Sequence, residues 1–121
     1  MIVLVVDDNE KNLKLARHVL RHAGIDTLEA GTAGDAIAVA VERLPDVILM
    51  DIRMPDMDGI EAVRLLKDDA RTAAIPVVAL TSFAMKGDRE RFLAAGFDGY
   101  IEKPISVREF PGQVRAMLQR R

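Results

Sequence analysis

The sequence has no cysteine, no long apolar run and almost no net charge. Without cysteine it can form neither disulfides nor thiolate metal sites, which fits a reducing compartment. A formal net charge of −2 gives no general electrostatic case for binding nucleic acid or an anionic membrane. No apolar run approaches the roughly 20 residues of a membrane-spanning helix, and Met1 is followed by neither the basic region nor the cleavage site of a signal peptide. We therefore expect a cytoplasmic protein that binds neither nucleic acid nor membrane.

The length suits one domain. A chain of 121 residues, half of them apolar, is long enough to bury one core and too short for two domains. It shows no internal repeat, low-complexity segment or linker. We expect residues 1–121 to form a single domain with no second domain attached.

Two continuous apolar runs end in aspartates. Residues 2–6 are followed by Asp7 and Asp8, and residues 47–50 are followed by Asp51. A short apolar run bounded by breakers predicts a strand that is buried on both faces, as in a parallel sheet. Asp51 is therefore expected at the carboxyl end of a central strand, where open α/β sheets place their ligand chemistry.

Three further strands, near residues 25–30, 76–80 and 99–101, alternate with helices. The helices are expected from about residue 10 to Gly24, from Thr32 to Leu44, from about 60 to 67, over about 85–95, and near the end of the chain. The residues assigned to the apolar helix faces are Leu13, Ala16, Val19, Leu20, Ala23, Ala36, Ile37, Ala40, Leu44, Ile60, Val63, Leu66, Met85, Phe92, Leu93, Val107, Phe110, Val114, Met117 and Leu118.

The start of the last helix has two solutions. Ser106 and Glu109 match a capping box, which favours an early start. Pro111 conflicts with that start because a proline five residues on removes a helical hydrogen bond. Either the first turn is irregular or the helix begins nearer Phe110.

Strands that alternate with helices predict an α/β fold with a parallel sheet. Right-handed crossovers leave few topologies, and the common doubly wound order for five strands is 2-1-3-4-5, as in flavodoxin-like folds. We therefore expect a five-stranded parallel sheet in that order, with strands 1 and 3 as neighbours.

That strand order brings the chemistry-bearing residues to one edge. Asp7, Asp8 and Asp51 would converge there, and three like charges so close are costly unless neutralised. A hard divalent cation such as Mg²⁺ is the natural partner. Thr81, at the end of the fourth strand, and Lys103, after the fifth, would supply a hydroxyl and an ammonium. Such a pocket suits a phosphoryl group, with Asp51 as the nucleophile that becomes an aspartyl phosphate.

The same residues resemble the receiver domain of two-component response regulators, over essentially the whole chain. The resemblance is carried in order by Asp7-Asp8, Asp51, Met54-Pro55-Asp56-Met57-Asp58-Gly59, Thr81-Ser82 and Lys103-Pro104. It implies a CheY-like fold and, with no output domain in the chain, a stand-alone receiver. The stretches at 81–88 and 103–106 resemble those of the DivK-type cell-cycle receivers.

The resemblance implies a role for each acid. Asp51 would accept a phosphoryl group from a phosphohistidine on a sensor histidine kinase or a phosphotransfer protein. Asp8 and Asp51 would bind Mg²⁺ directly, with the backbone carbonyl of Arg53 as a further ligand, while Asp7 would act through water.

Three other positions complete the site implied by the resemblance. Thr81 would donate a hydrogen bond to a phosphoryl oxygen, and Lys103 would contact the same group. The Lys103-Pro104 bond is expected to be cis. Tyr100 would be the switch aromatic, turning inward when Thr81 moves. The fourth helix, fifth strand and fifth helix would then present a changed surface to a downstream protein.

Other motifs support competing sites poorly. His18 and His22 lie four residues apart and could form a metal pair or include a phosphate-carrying histidine. They lie off the apolar stripe and lack a third ligand, so they are better interpreted as surface histidines. The spacing after Met54 rejects an EF-hand, since the first and last ligand positions would be Met54 and Leu65. The chain has no P-loop and no glycine-rich dinucleotide fingerprint.

Two other functions are retained beside the phosphorylation switch. One is a Mg²⁺-dependent phosphohydrolase that turns over an outside substrate, although Asn9 stands two residues after Asp7, where the haloacid-dehalogenase type has a second aspartate. The other is a binding module with the receiver fold that is never phosphorylated. The phosphorylation-switch hypothesis limits the chemistry of the chain to self-phosphorylation and slow self-hydrolysis. We therefore do not expect an enzyme in the usual sense.

Overall fold

The computed structural model describes residues 1–82 and 87–118, and in these ranges five strands alternate with five helices. None of the described helices has the length and apolar character needed to cross a bilayer. The elements are β1 (Ile2–Val6), α1 (Glu10–His22), β2 (Asp26–Ala30), α2 (Ala33–Arg43), β3 (Val47–Asp51), α3 (Gly59–Asp68), β4 (Val77–Thr81), α4 (Asp88–Ala95), β5 (Gly99–Glu102) and α5 (Phe110–Leu118).

All strand pairs in the sheet are parallel, in the order β2-β1-β3-β4-β5. The predicted fold class and strand order are therefore confirmed. The register sets Val6 opposite Met50, and Asp51 opposite Leu80. Strands β1, β3 and β4 consequently end level with one another, so the residues that follow them meet at one edge of the sheet.

The core lies on both faces of the sheet. Leu4 and Ile48 belong to a cluster that packs under α2, α3 and α4, whereas Val3 and Leu49 belong to a cluster under α1 and α5. Neighbouring residues of a strand point to opposite faces, so the two clusters alternate along β1 and β3. Continuous apolar runs are needed because both faces are covered by helices.

Side-chain caps start three of the helices. The Oδ1 of Asn9 accepts hydrogen bonds from the N–H groups of Lys11 and Asn12 at the start of α1, as predicted. The hydroxyl of Thr32 caps α2, and the carboxylate of Asp58 caps α3. The three helices follow β1, β2 and β3, so their starts lie toward the carboxyl edge of the parallel sheet.

The last helix begins at Phe110, which resolves the two solutions left by the sequence. Residues 107–109 form a turn, and the N–H of Glu109 donates to the Ser106 hydroxyl at 3.3 Å. Pro111 then lies in the first turn of α5, where its missing N–H costs no helical hydrogen bond.

Three apolar residues assigned to buried helix faces are exposed, and those assignments were wrong. Leu44 lies past the last turn of α2 with a left-handed backbone and is 56% exposed. Leu93 follows buried Phe92 by one residue, about 100° around α4, so it points away from the core. Val107 lies in the turn before α5. The Met85 assignment and the side chain of Leu118 fall outside the described residues.

Candidate functional site

Three aspartates meet at the carboxyl edge of the sheet. Asp7 and Asp8 follow β1, Asp51 ends β3, and the two strands are paired. One carboxylate oxygen of each aspartate lies within 4.8 Å of those of the other two. Asp7 is only 1% exposed, Asp51 is partly buried and Asp8 is exposed. The convergence of acids expected from the strand order is therefore present.

Lys103 lies against two of these acids. Its Nζ donates to Oδ2 of Asp7 at 2.9 Å and lies 3.1 Å from Oδ2 of Asp51. Its backbone N–H donates to the carbonyl of Thr81 at 2.8 Å, which continues the pairing of β4 and β5. The Lys103-Pro104 bond is cis, as predicted.

The surroundings of the Lys103 ammonium raise its pKa. Burial favours the neutral amine and would lower the pKa, but the hydrogen bonds and negative charges of Asp7 and Asp51 outweigh burial and raise it. Lys103 is therefore held as a cation between two carboxylates, one of which, Asp7, is almost fully buried.

The carboxylate of Asp51 is partly buried and lies close to two N–H groups, the backbone amide of Arg53 and the ammonium of Lys103. Burial raises the pKa of its carboxyl group, and the N–H of Arg53 and the ammonium of Lys103 act in the opposite direction. The Arg53 N–H donates to Oδ1 at 3.1 Å, while Lys103 is close to Oδ2. One carboxylate oxygen thus faces the loop after β3 and the other faces the end of β5.

Asn12 contributes to the site and was missed by the sequence reasoning. Its Nδ2 donates to Oδ2 of Asp7 at 3.2 Å, and the N–H of Asn9 donates to Oδ1 of the same carboxylate at 2.9 Å. A faint signal was available, because a polar residue in the first turn of a helix can reach back to an acid that ends the preceding strand. Asp7 therefore has three donors, counting Lys103, and its orientation is closely determined.

Thr81 and Tyr100 occupy different surroundings. Thr81 ends β4 and is buried at the floor of the cleft that the acids line. Tyr100 on β5 is partly buried against the core, and the guanidinium carbon of Arg89 lies 6.0 Å from the centre of its ring. Tyr100 is absent from the described lining of that cleft.

One cleft of about 340 Å³ gathers the other predicted site residues. Its described lining includes Asp7, Asp8, Asp51, Arg53, Thr81 and Lys103. Each of the three aspartates offers a carboxylate oxygen as a metal ligand, and a hard cation prefers oxygen ligands. The cleft also has room for the water molecules that Mg²⁺ retains. The residues present therefore fit a magnesium ion, and the absence of cysteine leaves no thiolate donor for a softer metal.

The doubly wound sheet with this acidic edge and its lysine defines a class of protein. The chain belongs to the response regulator receiver domain family, whose model matches residues 3–115. Receiver domains of this family are the signalling switches of two-component systems. The resemblance drawn from the sequence motifs is therefore confirmed.

Among curated relatives, the chain is similar to the polar-differentiation response regulator DivK. The DivK proteins of Brucella ovis and Brucella anthropi are each 44% identical to it over 116 residues, which cover 96% of this chain and 94% of the relative. The similarity to the DivK-type receivers predicted from two short stretches thus extends over nearly the full length.

Solved structures share the fold. The chemotaxis response regulator CheY4 of Vibrio cholerae superposes with a TM-score of 0.90 at 27% identity, covering 96% of this chain and 97% of that one. The receiver domain of the sensor histidine kinase PA1611 from Pseudomonas aeruginosa PAO1 gives a TM-score of 0.84 at 33% identity, covering 98% and 94%. The PA1611 structure has a magnesium ion coordinated in its active site cleft.

Proposed function

We propose that this chain is a single-domain, cytoplasmic response regulator that accepts a phosphoryl group on Asp51. The donor would be the phosphohistidine of a sensor histidine kinase or a histidine phosphotransfer protein. The observation that carries the proposal is the arrangement of three carboxylates within 4.8 Å of one another, with the Lys103 ammonium against Asp7 and Asp51. The single-domain reading is supported by the DivK relatives, which the chain covers over 94% of their length.

The transfer step uses one carboxylate oxygen of Asp51 as the nucleophile. That oxygen attacks phosphorus and forms a P–O bond while the P–N bond to the donor imidazole breaks. The imidazole leaves with the electron pair of that bond and is protonated. The N–H of Arg53 donates to Oδ1, which would leave Oδ2, beside Lys103, as the attacking oxygen.

Lys103 and Thr81 would stabilise the transferred group. The Lys103 Nζ lies 3.1 Å from Oδ2 of Asp51, so it can reach a phosphoryl oxygen attached there with only a small movement. The buried Thr81 hydroxyl at the floor of the same cleft would donate to another phosphoryl oxygen. Thr81 ends β4, Lys103 directly follows β5, and the Lys103 N–H donates to the Thr81 carbonyl at 2.8 Å, so the two backbones are adjacent.

A magnesium ion would be held by Asp8, Asp51 and the backbone carbonyl of Arg53, with Asp7 acting through water. When bound, it would neutralise charge on the phosphoryl oxygens during transfer. Asp7 keeps its orientation through Asn12 and Asn9. We further propose that the chemistry stops at self-phosphorylation and slow self-hydrolysis, and multiple turnover of a phosphate ester would contradict this.

Phosphorylation would shift the population of the chain between two conformations that present different surfaces. Thr81, drawn toward the phosphoryl group, would free space into which Tyr100 turns, leaving its present contact with Arg89. The face formed by α4, β5 and α5 would then bind a downstream protein. This face is suited to change because, within the described part of α4, Phe92 is the buried residue.

The experiment is phosphorylation by a small phosphodonor with Mg²⁺, followed by intact-protein mass spectrometry. We expect an adduct of about 80 Da, the mass of one phosphoryl group, on the unaltered chain but not on Asp51→Asn. Asp68→Asn, an exposed aspartate at the end of α3, is the matched control and should retain the adduct. An unmodified native chain, or an adduct that persists in Asp51→Asn, would overturn the assignment.

A further inference from the structure

Asp56 joins the loop after β3 to the start of α2. Its Oδ1 accepts a hydrogen bond from the N–H of Ala33 and its Oδ2 from the N–H of Gly34, both at 2.9 Å. These two amides, first Gly34 and then Ala33, lower the pKa of Asp56. An ionised carboxylate therefore lies on the positive end of the α2 dipole, although Asp56 belongs to a different element and is exposed to solvent.

This contact is separate from the cap of α2. Thr32 already caps the helix, its hydroxyl accepting from the N–H of Asp35 at 3.1 Å. Asp56 takes the two preceding amides, which Thr32 leaves free. A Cβ at Gly34 would come within 3.3 Å of the Asp56 Oδ2, so glycine at this position permits the close approach. The helix start and the loop are thus fitted to each other.

The loop held in this way carries part of the phosphoryl site. It is closed at its base by a hydrogen bond from the N–H of Gly59 to the carbonyl of Ile52 at 2.9 Å. A Cβ at Gly59 would lie 2.9 Å from the Cα of Ile52, so this closure requires glycine. Met54 and Met57 pack against the core, and the N–H of Arg53 donates to Asp51.

We propose that Asp56 is a positioning residue, which holds the loop against α2 so that the Arg53 backbone is correctly placed at Asp51. The Arg53 N–H orients the nucleophile, and its carbonyl is the ligand that the loop would give to a metal. For the metal the inference rests on the function proposed above. For the placement of Arg53 it rests only on the contacts of the loop.

Two variants separate positioning from helix stability. Asp56→Ala removes the tie between the loop and α2, whereas Thr32→Ala removes a cap from the same helix end without touching the loop. Both should lower the thermal midpoint. In a Mg²⁺ titration of the full chain, we expect Asp56→Ala to raise the Kd about tenfold, the lower end for contacts that orient metal ligands. Thr32→Ala should leave the Kd close to the native value, and Asp56→Asn, which keeps one acceptor oxygen, should recover part of the loss.

Amide exchange in metal-free protein gives a second readout. The Arg53 N–H should exchange faster in Asp56→Ala than in Thr32→Ala, because only the first variant releases the loop. Coupling between two sites is reciprocal, so Mg²⁺ should slow exchange at Ala33 and Gly34 in the native chain but not in Asp56→Ala.

The outcomes distinguish the two proposals. A native chain that binds no Mg²⁺ would count against the phosphoryl site, while Arg53 exchange would still decide the role of Asp56. Equal Kd values and equal Arg53 exchange in the Asp56→Ala and Thr32→Ala variants would overturn the positioning role, even if the native chain bound Mg²⁺ tightly.

Discussion

Leu44 adopts a backbone conformation that side chains disfavour. It has φ 46° and ψ 63° at the end of α2, and among the described residues it is the only non-glycine residue with positive φ. The left-handed conformation costs an L-residue roughly 1 kcal/mol because Cβ crowds the following carbonyl. The side chain is 56% exposed and recovers little of this cost by packing.

Leu44→Gly should therefore raise the free energy of unfolding, by about 0.5–1 kcal/mol, since glycine is the usual residue at this position after a helix. Leu93→Gly is the matched control, because Leu93 is 42% exposed but lies inside α4. There glycine should lower the free energy of unfolding by about 1 kcal/mol. Urea denaturation measures both, and changes of the same sign would contradict the explanation.

For individual residues, the sequence predicts some features of the candidate site and not others. The meeting of Asp7 with Asp51 follows from the ends of neighbouring parallel strands, which sequence patterns locate well. Lys103 was predicted to bring its ammonium to the same pocket. Its contacts with both carboxylates, the amide of Asn12 on Asp7 and the tie from Asp56 to α2 depend on loop paths and side-chain rotamers. Apolar periodicity carries no information about either.

Lys67 connects three segments by hydrogen bonds near the amino end of β4. From the last turn of α3 its Nζ donates to the carbonyls of Ala73 at 3.3 Å and Ile75 at 2.8 Å, and to Asp98 at 2.9 Å. The same Asp98 oxygen accepts from the N–H of Val77 at 2.8 Å. One ammonium thus joins α3, the connection to β4 and the loop that leads into β5.

Lys67→Met, which keeps the aliphatic stem and removes the ammonium, should lower the free energy of unfolding by about 1–3 kcal/mol, because several acceptors lose their donor. The control is Arg71→Ala, which breaks an ion pair with Asp69 on the exposed surface. That change should leave stability within the error of the measurement. Chemical denaturation that showed equal losses would refute the special role of Lys67.

Elements are predictable where one signal dominates. The central strands follow from continuous apolar runs, and α1 follows from Asn9 and a clear apolar stripe. In α4 charged residues lie on several sides, so the pattern did not show that Phe92, rather than Leu93, faces the core. At α5 the cap at Ser106 and the proline at 111 gave opposing signals, and the helix begins at Phe110, which is fully buried.

For the whole molecule, folding brings the carboxylates of the acidic edge together. Three carboxylates line the cleft together with Lys103 and Arg53. The repulsion of Asp51 by Asp7 and Asp8 arises in the folded state, where β1 and β3 are paired. A cation that binds this cluster binds the folded chain alone, so its binding free energy adds to stability.

Mg²⁺ should therefore stabilise the chain by about 2.7 kcal/mol at a concentration of about 100 times Kd. Thermal unfolding should show a rise of several degrees relative to a sodium chloride control of equal ionic strength. Asp8→Asn should be more stable than the native chain without Mg²⁺, because one repulsive charge is gone, and should respond less to the ion. A native chain and an Asp8→Asn variant with identical Mg²⁺ responses would exclude the cluster as the binding site.

The residues that line the cleft come from distant parts of the sequence, from Asp7 to Lys103, so they are synthesised at different times. A nascent polypeptide made as far as Thr81 already has its acids, but the lysine that contacts two of them is not yet made. Strands β1, β2 and β3 all lie within residues 2–51, whereas the ammonium that contacts Asp7 and Asp51 comes only with residue 103. A fragment that stops short of Lys103 would hold Asp7 and Asp51 without the ammonium that contacts both, so the cleft as described depends on residues far apart in the sequence.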